Sequence, residues 1–346
     1  MAWAPRMSGP HRSSAVIEPG SRILGLGSYV PARVVDNAWL ERTLDTSDAW
    51  IRERTGIARR HVAADHEATS DLAAEAARRA LAASGVAPAE VDLLIVATVT
   101  ADSPLPSCAV HVQRALGATR AAAFDVSAAC AGFLFGLSIA DRFVASGAAR
   151  RVLVVGAEIL SRIVDWTDRS TAILFGDAAG AAVIGPADAG EGASRLLAFR
   201  LGSDGRGAPH LHVPGGGSRA PLTVESLAAR HDAVHMNGPT VFHAAVRHMV
   251  AASREALAAA GLQPADVDRV VAHQANVRIV DAVAERLAVP RDRFVVNLGE
   301  YGNTSSASIP LALDEAVRRG EVKPGDVVLL CALGAGFAWA AAVLRW

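Results

Sequence analysis

Residues 78–100 read RRALAASGVAPAEVDLLIVATVT, and residues 254–276 read REALAAAGLQPADVDRVVAHQAN. Each opens with apolar residues at helical spacing, stops at a glycine, turns through a proline and ends in an apolar strand. The copies lie 176 residues apart, and at that separation RVLVV (151–155) falls on VVLLC (327–331). Both strands are followed by Gly-rich sequence, FGDAAGAAVIG in one case and LGAGFAWAAAV in the other. A repeat decides architecture before any single residue does. The chain is therefore expected to hold two homologous halves, and helices alternating with apolar strands make it α/β, two similar layers packed together.

A finer alignment places the catalytic candidates. The helix ending DRFVASG at Gly147 matches the one ending DEAVRRG at Gly320, 173 residues on, and this carries Cys130 onto Asn303. Both are then expected at the N-terminal mouths of equivalent helices, facing each other across a pseudo-twofold axis. His273 ends the strand DRVVAH on the matching side of its sheet.

Composition narrows the field. The 346 residues carry 34 basic and 35 acidic side chains, which excludes a nucleic-acid or membrane-surface partner driven by charge. No apolar run approaches the roughly 20 residues of a membrane span. Three cysteines without CxxC spacing argue against a disulfide framework and fit a reducing cytoplasm. The pairs HLH (210–212) and HDAVH (231–235) lack ligand partners in any recognised spacing, so no metal is expected. Residues 1–21, rich in Pro, Gly and Ser but without a signal peptide's apolar stretch, are expected to be a disordered extension, with Met1 and Met7 both open as starts. The halves are expected over 22–185, with Cys130, and 236–346, with His273 and Asn303, joined by an irregular connection over 186–235.

Cys130 stands in DVSAACAGF (125–133), among small residues that let backbone approach a reacting sulfur. A helix start adds partial positive charge, so its thiolate is expected below the ordinary thiol pKa of about 8.5. The commoner fate of a lone cysteine is a small buried hydrophobe, and that reading is given to Cys108 and Cys331. His273 as a hydrogen-bonded strand end, and Asn303 as a turn residue with positive φ, are the bland alternatives. GLGSYV (25–30) lacks the third glycine and acidic residue of a dinucleotide site, so its glycines are expected to serve close packing.

Taken together, TSDAWIRERTGI (46–57), DVSAACAGF, DRSTAILFGDAAGAAV (168–183), HQANVRI (273–279), YGNTSSASIP (301–310) and GAGFAW (334–339) resemble the β-ketoacyl-acyl carrier protein synthase III family of the thiolase-like superfamily. The resemblance runs from about residue 22 to the end. It implies a thiolase-like fold with pseudo-twofold halves in α/β/α/β/α layers, a homodimer, and a catalytic triad of Cys130, His273 and Asn303. It implies an acyltransferase that takes an acyl group from acyl-CoA onto Cys130, then condenses it with malonyl-acyl carrier protein, with no resident cofactor. The backbone N–H groups of Cys130 and Ala335 would hold the oxyanion. Trp50, Arg54 and Arg169 match positions that contact the adenine of coenzyme A, while Gly238, Phe242, Ala275 and Asn276 match the walls of the pantetheine tunnel. Arg278 and Arg286 match carrier-protein docking positions, where His243 stands in place of an expected lysine and Glu285 in place of one member of an expected basic pair. Leu105 and Trp166 are expected to shape the acyl pocket. A priming or acyl-transferring enzyme of polyketide metabolism is the alternative, and a non-catalytic carrier-binding module the remoter one.

Overall fold

The computed structural model describes residues 20–188, 190 and 192–346. The extension expected over 1–21 lies outside the described residues except at its end, and there Ser21 is no tail: it opens the first strand, fully buried, with its hydroxyl donating to Asp141 at 2.6 Å.

The first sheet has five strands, β1 (Ser21–Tyr29), β2 (Leu93–Ala97), β3 (Ala122–Val126), β4 (Val152–Glu158) and β5 (Ala178–Pro186), in the order β1-β5-β4-β2-β3. The second has β6 (Arg195–Ser203), β7 (Arg269–Ala272), β8 (Val327–Gly334) and β9 (Ala338–Arg345), in the order β7-β8-β9-β6. Strand directions repeat as well. β2 is parallel to β4 as β7 is to β8, and β5 is antiparallel to β4 and β1 as β9 is to β8 and β6. The counterpart of β3 has shrunk to one parallel bridge, Val270 with Phe294.

Seven longer helices matter to the site: α1 (Asp48–Thr55), α2 (Thr69–Ser84), α3 (Cys108–Leu116), α4 (Gly132–Ala145), α5 (Gly238–Ala259), α6 (Val277–Leu287) and α7 (Ser308–Arg318). α4 and α7 form a central layer, where Phe133, Leu137, Ile309 and Leu313 pack with Val154 of one sheet and Val328 of the other. α2 and α3 cover the outer face of the first sheet, and α5 and α6 that of the second. This is the α/β/α/β/α layering. It explains the unbroken apolar strands, because β4 and β8 are buried along their whole length, covered on both faces. The glycines of GLGSYV serve packing: a Cβ on Gly27 would fall 2.3 Å from the Ala80 amide nitrogen of α2. Among the described residues no helix is long and apolar enough to cross a membrane.

Two expectations are corrected. The stretch 186–235 is not an irregular connection throughout, because β6 within it pairs with β9 from Ser203↔Ala338 to Arg195↔Arg345. An edge strand with one partly exposed face gives RLLAFRLGS a weaker apolar signal than β4 or β8. The second correction concerns the equivalence of Cys130. The 3-10 turns Ala129–Ala131 and Ser305–Ala307 lie 176 residues apart, and each opens on a non-glycine residue with positive φ, 46° at Ala129 and 49° at Ser305. Helices of 14 and 11 residues follow. The three-residue difference lies inside the helices, so an alignment anchored on their C-terminal glycines slips at their starts. Cys130 is equivalent to Ser306, and Asn303 enters the site from just before that turn.

Candidate active site

Cys130, His273 and Asn303 line one cavity of about 570 Å³. Cys130 sits in the strained turn ahead of α4; a positive φ at a non-glycine residue costs on the order of 1–3 kcal/mol and persists only where the surroundings enforce it. Gly334, at the end of β8, lies against this turn so closely that a Cβ there would fall 2.5 Å from the Cys130 amide nitrogen. Ala335 follows it, half-buried.

The thiolate expected from the helix start is corrected here. Burial pushes the Cys130 thiol up to about 12, with the Glu158 carboxylate adding to the rise, while Ser305 and the residue's own N–H act the other way. Loss of hydration outweighs the helix end, so the resting group is a thiol. Cys108 and Cys331 are fully buried packing residues.

His273 follows β7, its N–H donating to Cys331 O at 2.8 Å. Burial lowers its pKa to about 4, so the imidazole is neutral near pH 7. Its Nδ1 meets Ser308 Oγ at 2.7 Å, and that oxygen already accepts the Gln274 N–H at 3.4 Å. Where the Ser308 hydroxyl donates to Nδ1, Nε2 carries the ring proton and is a donor into the cavity. Asn303 is fixed in a similar way. Its backbone is tied to Leu174 O and Gly176 N, and its Oδ1 accepts the Ser305 N–H at 2.9 Å. The side-chain amide is left to donate. The positive φ of this turn belongs to Gly302, at 68°, where a Cβ would fall 2.7 Å from Leu174 O.

Trp50, Arg54, Gly238, Phe242, Ala275 and Asn276 line the same cavity. α1 is capped by Ser47, whose Oγ accepts the Trp50 N–H, and Asn276 Nδ2 donates to Arg54 O at 3.1 Å, tying α1 to the start of α6. The guanidinium carbons of Arg54 and Arg169 stand 4.7 and 4.8 Å from the centre of the Trp50 ring. Arg169 itself is outside the cavity wall. Arg278 lines the cavity, whereas Arg286 lines a neighbouring depression with Arg206, His243 and Arg247.

The residues expected to shape the acyl pocket do not reach this cavity within the chain. Leu105 is 85% exposed, and Trp166 packs edge-on against Trp39 at 5.6 Å with its Nε1–H donating to Ser161 O. Three site residues went unnoticed in the sequence: Ser308, Ser305 and Glu158. The two serines sit within the quoted YGNTSSASIP, and Glu158 is the single charge closing an apolar strand, a signal that was available.

Known proteins resemble this chain over most of its length. Residues 124–205 match the family described as 3-oxoacyl-[acyl-carrier-protein] synthase III, and residues 257–346 match its C-terminal region. A β-ketoacyl-[acyl-carrier-protein] synthase III of Symbiobacterium thermophilum is 53% identical over 94% of this chain and 97% of its own length. The structure of the Thermus thermophilus protein of that name superposes with a TM-score of 0.86, 48% identity, and coverage of 94% of this chain and 99% of that one. The priming β-ketosynthase of the R1128 polyketide pathway gives 0.87 with 41% identity, over 99% of both chains.

Proposed function

From its membership of the β-ketoacyl-[acyl-carrier-protein] synthase III family, to which the chain belongs, we propose that the protein is a condensing acyltransferase joining an acyl-CoA to malonyl-acyl carrier protein. The observation that carries the reading is one cavity holding a thiol, a neutral imidazole and a side-chain amide, both able to donate to a carbonyl there.

In the first half-reaction Cys130 sulfur attacks the thioester carbonyl, coenzyme A leaves, and an acyl-enzyme remains. The backbone N–H groups of Cys130 and Ala335 stabilise the oxyanion. In the second, malonyl thioester enters, and His273 Nε2–H and the Asn303 amide donate to its carbonyl. Charge moves onto that oxygen as carbon dioxide departs, and the enolate carbon attacks the acyl group. Neutral donors suit a developing oxyanion, each worth about 3–4 kcal/mol in favourable geometry. A carboxylate there would repel it. Acyl transfer, decarboxylation of a malonyl thioester and carbon–carbon bond formation through its enolate call for no resident cofactor. At the mouth, adenine stacks against Trp50 by displacing a guanidinium, which keeps cation-π attraction to the base.

The working form is a cytoplasmic homodimer in which Leu105, on its exposed loop, reaches the partner's acyl pocket. Arg278 and Arg286 attract the acidic carrier protein. A priming role in polyketide synthesis is the second reading, supported by the full-length likeness to the R1128 ketosynthase. The test is intact-protein mass after exposure to acetyl-, isobutyryl-, butyryl- and hexanoyl-CoA, followed by malonyl-acyl carrier protein. An acyl adduct on Cys130 that disappears as a 3-oxoacyl carrier forms is the expected result. No adduct from any acyl-CoA would overturn the reading.

A further inference from the structure

The mechanism above leaves the thiol proton without a destination. His273 is a poor acceptor, since burial already disfavours its charged form. Behind Cys130 lies another group. Glu158, the last residue of β4, is fully buried. Its Oε2 accepts from Thr100 Oγ1 at 2.7 Å, Val99 N at 3.1 Å and Thr98 Oγ1 at 3.3 Å. Its Oε1 faces Ser305 Oγ at 3.1 Å and Ser306 Oγ at 3.0 Å. The turn that carries Ser305 packs against the turn that carries Cys130, and the Ser305 hydroxyl acts on the Cys130 thiol. Thiol, hydroxyl and carboxylate thus stand in order across the seam between the two halves of the molecule.

The cage fits both protonation states. A serine hydroxyl has one proton, and Ser306 Oγ lies between two acceptors, Glu158 Oε1 and Ala97 O at 2.8 Å. With Glu158 ionised, Ser306 donates to the carboxylate. With Glu158 protonated, Ser306 turns to Ala97 O and accepts from the acid. Neither state strands a buried polar group. The titratable groups facing this cage are Cys130 from the turn before α4 and Cys108 from α3, both of which feel the Glu158 charge. Asp102 and Asp125 act on Cys108 from beyond it, and His273 borders the cavity that Cys130 faces.

We propose that Glu158, through the Ser305 hydroxyl, takes up the proton leaving the Cys130 thiol on acylation and returns it when that sulfur is released. This rests on the condensing function above. As sulfur bonds to the acyl carbon, its S–H proton passes to Ser305 Oγ, and the proton Ser305 carried passes to Glu158 Oε1. The acyl–CoA C–S bond breaks and the coenzyme A thiolate takes a proton from water. After the enolate attacks, the Cys130 thiolate leaves and recovers its proton by the reverse path. Net charge around the buried sulfur does not change during the transfer.

The test is the rate of Cys130 alkylation by iodoacetamide across pH 7–9, read by peptide mass, in wild type and in Glu158→Gln. Internal transfer makes the wild-type rate nearly flat. The amide, which holds the same shape but accepts no proton, makes the rate climb about tenfold per pH unit, as free thiols do below their pKa. Ser305→Ala keeps the carboxylate, removes the carrier of the proton, and is expected to climb likewise. It also serves should the glutamine variant fail to fold. A wild-type rate that itself climbs tenfold per unit, or variants slowed equally at every pH, would overturn the proposal. Flat alkylation in wild type with no acylation by any acyl-CoA would instead overturn the function and leave the proton path standing.

Discussion

The turns Ala129–Ala131 and Ser305–Ala307 have the same shape, each with a non-glycine first residue at positive φ and a helix behind it, yet one carries a thiol and the other two hydroxyls. The first half supplies the nucleophile. The second supplies His273, Asn303 and the serines that orient them or reach across to Glu158. In the proposed mechanism one copy of the fold supplies the nucleophile and the other the donors for decarboxylation, while Ala335 and Ser305 of that second copy serve acylation as well.

The comparison breaks most completely at Cys130. Cys130→Ala is expected to abolish acylation, so intact mass should show no adduct with any acyl-CoA; an adduct on the variant would move the nucleophile elsewhere. Next in size are His273→Ala and Asn303→Ala, expected to slow condensation on the order of a hundredfold or more while sparing acylation far more. Rates of carbon dioxide release and of adduct formation, measured separately, check the asymmetry. Equal losses would merge the two roles.

Acidity sharpens the same division. Burial lowers the His273 pKa from 6.5 to about 4, so the neutral donor persists as pH falls through 6 and is lost only near 4. Decarboxylation should accordingly hold between pH 7 and 5, whereas an ordinary histidine would lose its neutral form near 6.5. Leu105→Phe is a smaller perturbation, expected to shift preference toward acetyl-CoA by about tenfold over hexanoyl-CoA in a competition assay. An unchanged profile would remove Leu105 from the pocket. The smallest effect belongs to Ser308→Ala, which frees the His273 ring to exchange tautomers and should cost about 1 kcal/mol, roughly fivefold in condensation rate.

How much of this was legible follows from where each signal lies. The duplication is a long-range repetition of whole helix–turn–strand units, so it survived in the sequence and gave two sheets of matching order. Cys130, His273 and Asn303 stood out because polar or reactive side chains interrupt apolar or small-residue surroundings. The equivalence of Cys130 was misread because helix lengths differ by three residues, which periodicity alone does not reveal. β6 was missed because an edge strand is only half covered. The thiol's raised pKa was not legible, since desolvation depends on everything that folds over the sulfur and no local pattern records it.

The central claim is that Cys130 carries the acyl group while His273 and Asn303 serve decarboxylation, and Asn303→Ala tests it most directly. Load the variant with an acyl-CoA, follow the acyl-enzyme by intact mass, then add malonyl-acyl carrier protein. The account predicts that the adduct forms at close to the wild-type rate and then persists, because the donor to the malonyl carbonyl is gone. An adduct that fails to form, or one that clears as fast as in wild type, would contradict it.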